Sequence, residues 1–143
     1  MTFLRYGPQT SAGEAASVIE LADFNLRGGH DAPAAAARAA RVTERYLSDH
    51  AARELSAVTS ELVDRLGGGT PAPRTLRLEL AVTASVVRVS VTAQVAKAAN
   101  VASNASLRAA LPLTSSLASR YGVEGGRRMR LWAEFDRMSE FLP

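Results

Sequence analysis

Cysteine is absent from this 143-residue chain, which removes disulfides, thiolate nucleophiles and cysteine-bound metals from the chemistry open to it. Histidine is scarce. His30 and His50 have no cysteine, second histidine or carboxylate at ligand spacing, so no metal site is expected and both read as solvated loop positions. Lysine occurs once, at Lys97, and the other cations are arginine. Long apolar runs are also missing. Residues 1–13 lack the apolar stretch of roughly 7–15 residues that a secretory signal needs. Later apolar stretches meet charge or proline before the roughly 18 residues required to cross a bilayer. These absences lead to the expectation of a cytoplasmic chain with no membrane partner. No Gly-x-Ser-x-Gly occurs, and no histidine is placed to serve a serine, so nucleophilic catalysis finds no support. Gly67-Gly68-Gly69 lacks the Lys-Ser/Thr of a phosphate loop and reads as a helix stop.

What is present is ordinary for a globular protein: 47% apolar and 22% charged residues, enough chain for one domain with a core. Residues 1–16 read as a tail, 17–137 as the domain and 138–143 as a second tail. The net charge is +3 and the isoelectric point near 9.9. A nucleic-acid partner is the weaker reading of that charge, because the arginines are spread along the chain. Only Arg127, Arg128 and Arg130 cluster.

The apolar pattern predicts the elements in order. Residues 17–26 suit a short strand ended by Arg27-Gly28-Gly29, with a helix as the alternative. Asp31 before Pro33 predicts a capped helix start, with the helix over 34–47. Ser48-Asp49-His50 interrupts it, and Asp49 is expected to cap a second helix over 51–66. Leu55, Val58, Thr59, Leu62, Val63 and Leu66 form that helix's amphipathic stripe. Leu76, Leu78, Leu80 and Val82, then Val87, Val89 and Val91, alternate as a hairpin turning at Ala84-Ser85. Residues 94–104 read as a long loop. Apolar spacing from Leu107 to Tyr121 predicts a third helix that starts or bends at Pro112, and 129–136 a last strand. The proportion gives an α+β two-layer sandwich, about three helices on one face of a mostly antiparallel sheet of four or five strands.

Three segments carry a resemblance. Ser60-Glu61-Leu62-Val63 resembles the start of a Ser-Glu-Leu-Val-Thr-Asn-Ala box. Leu117-Ala118-Ser119-Arg120-Tyr121-Gly122-Val123 resembles a Leu-Ala-Asp-Arg-Trp-Gly-Val segment, and Leu131-Trp132-Ala133-Glu134-Phe135 a closing Val-Trp-Ala-Glu-Leu strand. In this order they are similar to the histidine-kinase-like (GHKL) ATPases of the anti-sigma-factor serine kinase type, common in actinobacteria, over residues 34–136. The resemblance implies a Bergerat-type ATP-binding fold. It also implies a helix-borne glutamate that positions or activates and an asparagine four residues later that holds Mg²⁺. An Asp-x-Gly turn would read adenine, and a Gly-x-Gly-Leu turn would open the third helix over the phosphates.

Matched position by position, Glu61 is retained and the rest is replaced. The asparagine position is Arg65, whose guanidinium has no acceptor for a cation. The adenine-reading aspartate falls on Ala93 and its glycine on Val95. The glycine turn falls on Arg108-Ala109-Ala110-Leu111, with Pro112 next. ATP and magnesium binding in the family's manner is therefore not expected. Glu61, Arg65 and Arg108 stand as a vestigial nucleotide site or an arginine-lined anion site. The plainer alternative is an i,i+4 pair of Glu61 with Arg65.

Trp132, on the outward face of the last strand, has two readings: packing beneath the N-terminal segment, or a partner contact on an exposed face beside Arg128 and Arg130. The functional expectation is a regulatory pseudokinase that holds a sigma factor or an anti-sigma antagonist by contact, with a homodimer implied by the resemblance. The alternatives are an active serine kinase with an unusual pocket and a basic nucleic-acid binder. The segment 94–106, counterpart of the family's lid, is expected to be mobile, with the partner docking elsewhere.

Overall fold

The computed structural model of the chain describes residues 20–27, 32–67, 75–94, 109–125 and 128–136. Among the described residues the elements follow in the order β1 (Glu20–Arg27), α1 (Ala32–Thr43), α2 (Asp49–Gly67), β2 (Thr75–Val82), β3 (Val86–Gln94), α3 (Pro112–Leu117), β4 (Arg120–Glu124) and β5 (Arg128–Asp136). The strands form one open sheet in the order β1-β2-β3-β5-β4, and every neighbouring pair is antiparallel. The architecture is α+β, as expected.

Period-two patterning builds the sheet. Leu76, Leu78, Leu80 and Val82 of β2, with Val87, Val89 and Val91 of β3, are all nearly or fully buried. Leu131, Ala133 and Phe135 of β5 join them, as do Leu55, Val58, Leu62 and Val63 from α2. At roughly 1.5–3 kcal/mol for each large side chain taken out of water, this face is the main source of stability. Alanines Ala35, Ala36 and Ala39 let α1 approach α2 closely, and Ser56 Oγ of α2 donates to the Ala36 carbonyl at 3.2 Å. The hairpin turns where expected. Thr83 Oγ1 accepts from the Ser85 and Val86 amides at 3.2 and 3.1 Å, and the Thr83 amide donates to the Val86 carbonyl at 2.9 Å.

Three expectations are corrected. Helix α1 ends at Thr43 rather than 47, because the Tyr46 and Leu47 amides turn back to the Thr43 carbonyl. The cap of α2 is Ser48, not Asp49: Ser48 Oγ accepts from the Ala51 amide at 3.1 Å, and Asp49 is already the first helical residue. Helix α3 spans Pro112–Leu117, separated at Leu111 from helical Ala109 and Ala110, and it stops short of Tyr121 because Arg120–Glu124 is a strand. Ala118 turns to an extended backbone (φ −79°, ψ 149°), and the Ser119 amide donates to the Glu134 carbonyl, which starts the β4–β5 ladder. Asp31, the expected cap of α1, lies outside the described residues, as do the tails and most of 94–106.

Candidate functional site

Glu61 lies on the face of α2 that meets the start of α3. Its Oε1 accepts from the Thr114 amide and from Thr114 Oγ1, both at 2.8 Å, and its Oε2 accepts from the Leu113 amide at 3.1 Å. The helix start explains this geometry. Leu111, the N-cap, offers no side-chain acceptor, and Pro112 at the first position has no N–H. The next two amides, Leu113 and Thr114, are the ones the carboxylate takes. Glu61 is thus the cap of α3 delivered from another helix, and its charge faces the positive end of the backbone dipoles.

Among the described residues of the expected pocket, the side chains of Arg65, Ala93, Ala109 and Leu111 bring no further acceptor. Arg65 is exposed in the last turn of α2, where its charge suits the helix C-terminus. No described ion pair joins Arg65 to Glu61, so the i,i+4 pairing is corrected: the carboxylate is held by α3 instead. Ala93 is buried in the core, facing Leu76 on one side and Met129 on the other. A methyl stands there and offers no acceptor. Leu111 is wholly buried, while Ala109 is exposed. Arg108 and Val95 lie outside the described residues. His50 is exposed and does have a carboxylate neighbour, Glu54 one turn on at 3.2 Å. Two donors fall short of a metal site, and no group of three occurs among the described residues. His30 is not among them.

The sheet face turned away from the helices carries more than the sequence suggested. Trp132 lies there as expected and is only 3% exposed, which agrees with its packed reading and not with an exposed indole. It stands directly opposite Gly122 on β4, with its ring against the glycine. A Cβ added at Gly122 would come within 2.8 Å of Trp132 Cζ2. The closeness requires glycine there.

One rung further along, Glu134 is completely buried between two arginines. Arg88 Nε donates to Oε2 at 2.9 Å and Arg120 Nε to Oε1 at 2.8 Å; Arg120 Nη2 also reaches Asp136 at 2.7 Å. The hydrogen bond to Glu134, with a further one to Asp136, pushes the Arg120 guanidinium up from its ordinary value. These side chains tie β3, β5 and β4 together. A buried carboxylate held this way is strongly destabilising to break, because its removal leaves cations without their counter-charge.

Toward the other end of this face, cross-strand register sets Asn25, Arg77, Thr92, Arg130 and Glu124 side by side across the five strands. Arg77 grips Asp23 with Nε and Nη2, the latter at 2.6 Å. That hydrogen bond, aided by the charge, holds the Asp23 carboxyl below the usual carboxylate range. Arg130 Nη1 donates to Glu124 at 3.2 Å. Its Nε is the one buried side-chain polar atom among the described residues with no hydrogen-bond partner. Leaving such a donor unmade costs about 1–3 kcal/mol. Arg128 is exposed and forms no ion pair among the described residues. Arg77, Arg128 and Arg130, with Glu79, Thr92 and Glu124, line an open groove of about 510 Å³. Sequence reasoning singled out Arg128 and Arg130 but missed Arg77, whose place beside them follows only from strand register.

No protein-family model matches the chain, and no curated protein matches it. No described helix is long and apolar enough to cross a membrane.

Proposed function

We propose that this chain is a regulatory module resembling the anti-sigma-factor kinases, working by protein contact with a site that no longer takes Mg-ATP. One observation carries the reading. Glu61, the only residue of the implied catalytic set retained at its position, has both carboxylate oxygens engaged in capping α3. A carboxylate so held makes a poor general base, since it must break charge-assisted bonds to accept a proton. Its implied Mg²⁺-binding neighbour is Arg65, and the implied adenine acceptor is the buried Ala93. Chemistry being unsupported, contact remains, and the resemblance gives its direction: a sigma factor or an anti-sigma antagonist in transcription control, with the chain itself as a homodimer on a Bergerat-type fold.

The experiment is co-purification from native cytosol with labelled ATP and Mg²⁺ added afterwards. The expected result is a sigma factor or antagonist that is retained and stays unlabelled. Label transferred to the retained protein, or release of that protein by ATP, would overturn the reading in favour of an active kinase.

A further inference from the structure

We propose that the groove on the outer face of the sheet binds carboxylates and receives an acidic segment of a partner protein, with Arg77, Arg128 and Arg130 around Thr92 as its floor. The proposal rests on the contact-acting reading above and names the chemistry of the contact.

Four observations support it. Arg77 and Arg130 flank Thr92 in one cross-strand row, on the two strands either side of β3. Neighbouring strands lie about 4.8 Å apart, so these arginines rise roughly 10 Å from each other, a gap an extended peptide fits. Arg128 follows two residues before Arg130 on β5, on the same face, exposed and without an ion pair among the described residues. Arg130 presents a buried Nε with no acceptor, while Glu124 fixes the other end of its guanidinium. Arg77 is likewise oriented by Asp23. Two cations are therefore held in place before any ligand arrives, which lowers the entropy lost on binding.

The choice of ligand follows from charge. The lining holds three arginines and two glutamates, Glu79 and Glu124. A continuous phosphate backbone would meet both glutamates, so nucleic acid is disfavoured. Separate carboxylates on a peptide can alternate with them. Asp23 already takes the Nε–Nη2 fork of Arg77 and Glu124 takes Nη1 of Arg130, so it is the planar fork of Arg128 that matches a ligand carboxylate in two-point contact.

The test uses the full chain and a fluorescein-labelled hexaglutamate peptide, read by fluorescence anisotropy at low salt. Saturable binding that weakens as salt rises is expected. Arg128→Ala should weaken it by about tenfold, and Arg128→Lys should restore only part of the loss, because an ammonium cannot make the fork. Arg128 is exposed, so melting temperatures should be equal to wild type, and this is checked for both variants. Inorganic phosphate and an oligothymidylate of matched charge serve as competitors, and neither should displace the peptide at equal charge concentration. No saturable peptide binding, or binding indifferent to Arg128→Ala, would overturn the proposal. Stronger displacement by oligothymidylate or phosphate would do the same. So would a self-association lost in Arg128→Glu, which would make a second copy the occupant. None of these outcomes touches the contact-acting reading, which is decided by ATP rather than by the peptide.

Discussion

Glu61 is where the account is most exposed to a single substitution. Its carboxylate answers two backbone amides and the buried Thr114 hydroxyl, so Glu61→Ala leaves three donors at the start of α3 without an acceptor. The expected loss is about 1–3 kcal/mol, read from the shift of the urea midpoint. Glu61→Gln keeps one carbonyl acceptor and should lose less. A glutamate reserved for catalysis would behave in the opposite way, with Glu61→Ala leaving the midpoint unchanged. A second residue-scale outcome concerns acid. Asp23 is held below the ordinary carboxylate range by Arg77, so its stabilisation is fully present above the unfolded value of about 3.9 and is lost as pH falls through the lower folded value. Wild type should therefore be more stable than Asp23→Asn at neutral pH, by a small margin because the pair is exposed. The difference should vanish in strong acid. Urea midpoints of both proteins at neutral pH and in strong acid check it; a difference that grows in acid would contradict the pairing.

At the scale of elements, β4 is the instructive one. The hairpin, α2 and β5 were legible because each carries one unmixed period: two in Leu76–Val82 and Val87–Val91, close to 3.6 in Leu55–Leu66. The stretch from Leu107 to Val123 carries both. Its apolar residues keep helical spacing through Tyr121, yet Tyr121 and Val123 face the core from a strand while Gly122 and Glu124 face away. What decides between them is non-local: the ladder to β5, and the seat that Gly122 offers the Trp132 ring. Glu134 was illegible for the same reason, its partners being Arg88 and Arg120 on other strands. The retained glutamate of the candidate site was legible, but its role was not, because capping α3 depends on a fold contact across 52 and 53 positions. Gly122→Ala tests the β4 assignment. The added methyl must displace the indole or the strand, and a loss of about 1–3 kcal/mol is expected. Trp132 is the sole tryptophan, so its emission should shift toward that of a wetter indole. An unchanged spectrum and midpoint would mean that the two do not touch.

For the molecule as a whole, the two sides of the sheet divide the work. The helix-covered side holds the apolar core, with Ala93 and Leu111 buried and Glu61 capping α3. The other side holds the charged rows, from the Glu134 cluster to the arginine groove. On the proposed reading, which follows this division, the chain acts through its surface and not through bound Mg-ATP. The most direct measurement is the melting temperature of the full chain with and without millimolar ATP and Mg²⁺. A ligand at a hundred times its dissociation constant adds about 2.7 kcal/mol, which is readily visible as a rise in melting temperature. The account predicts no shift with ATP and Mg²⁺ together; a clear upward shift that requires the metal would contradict it.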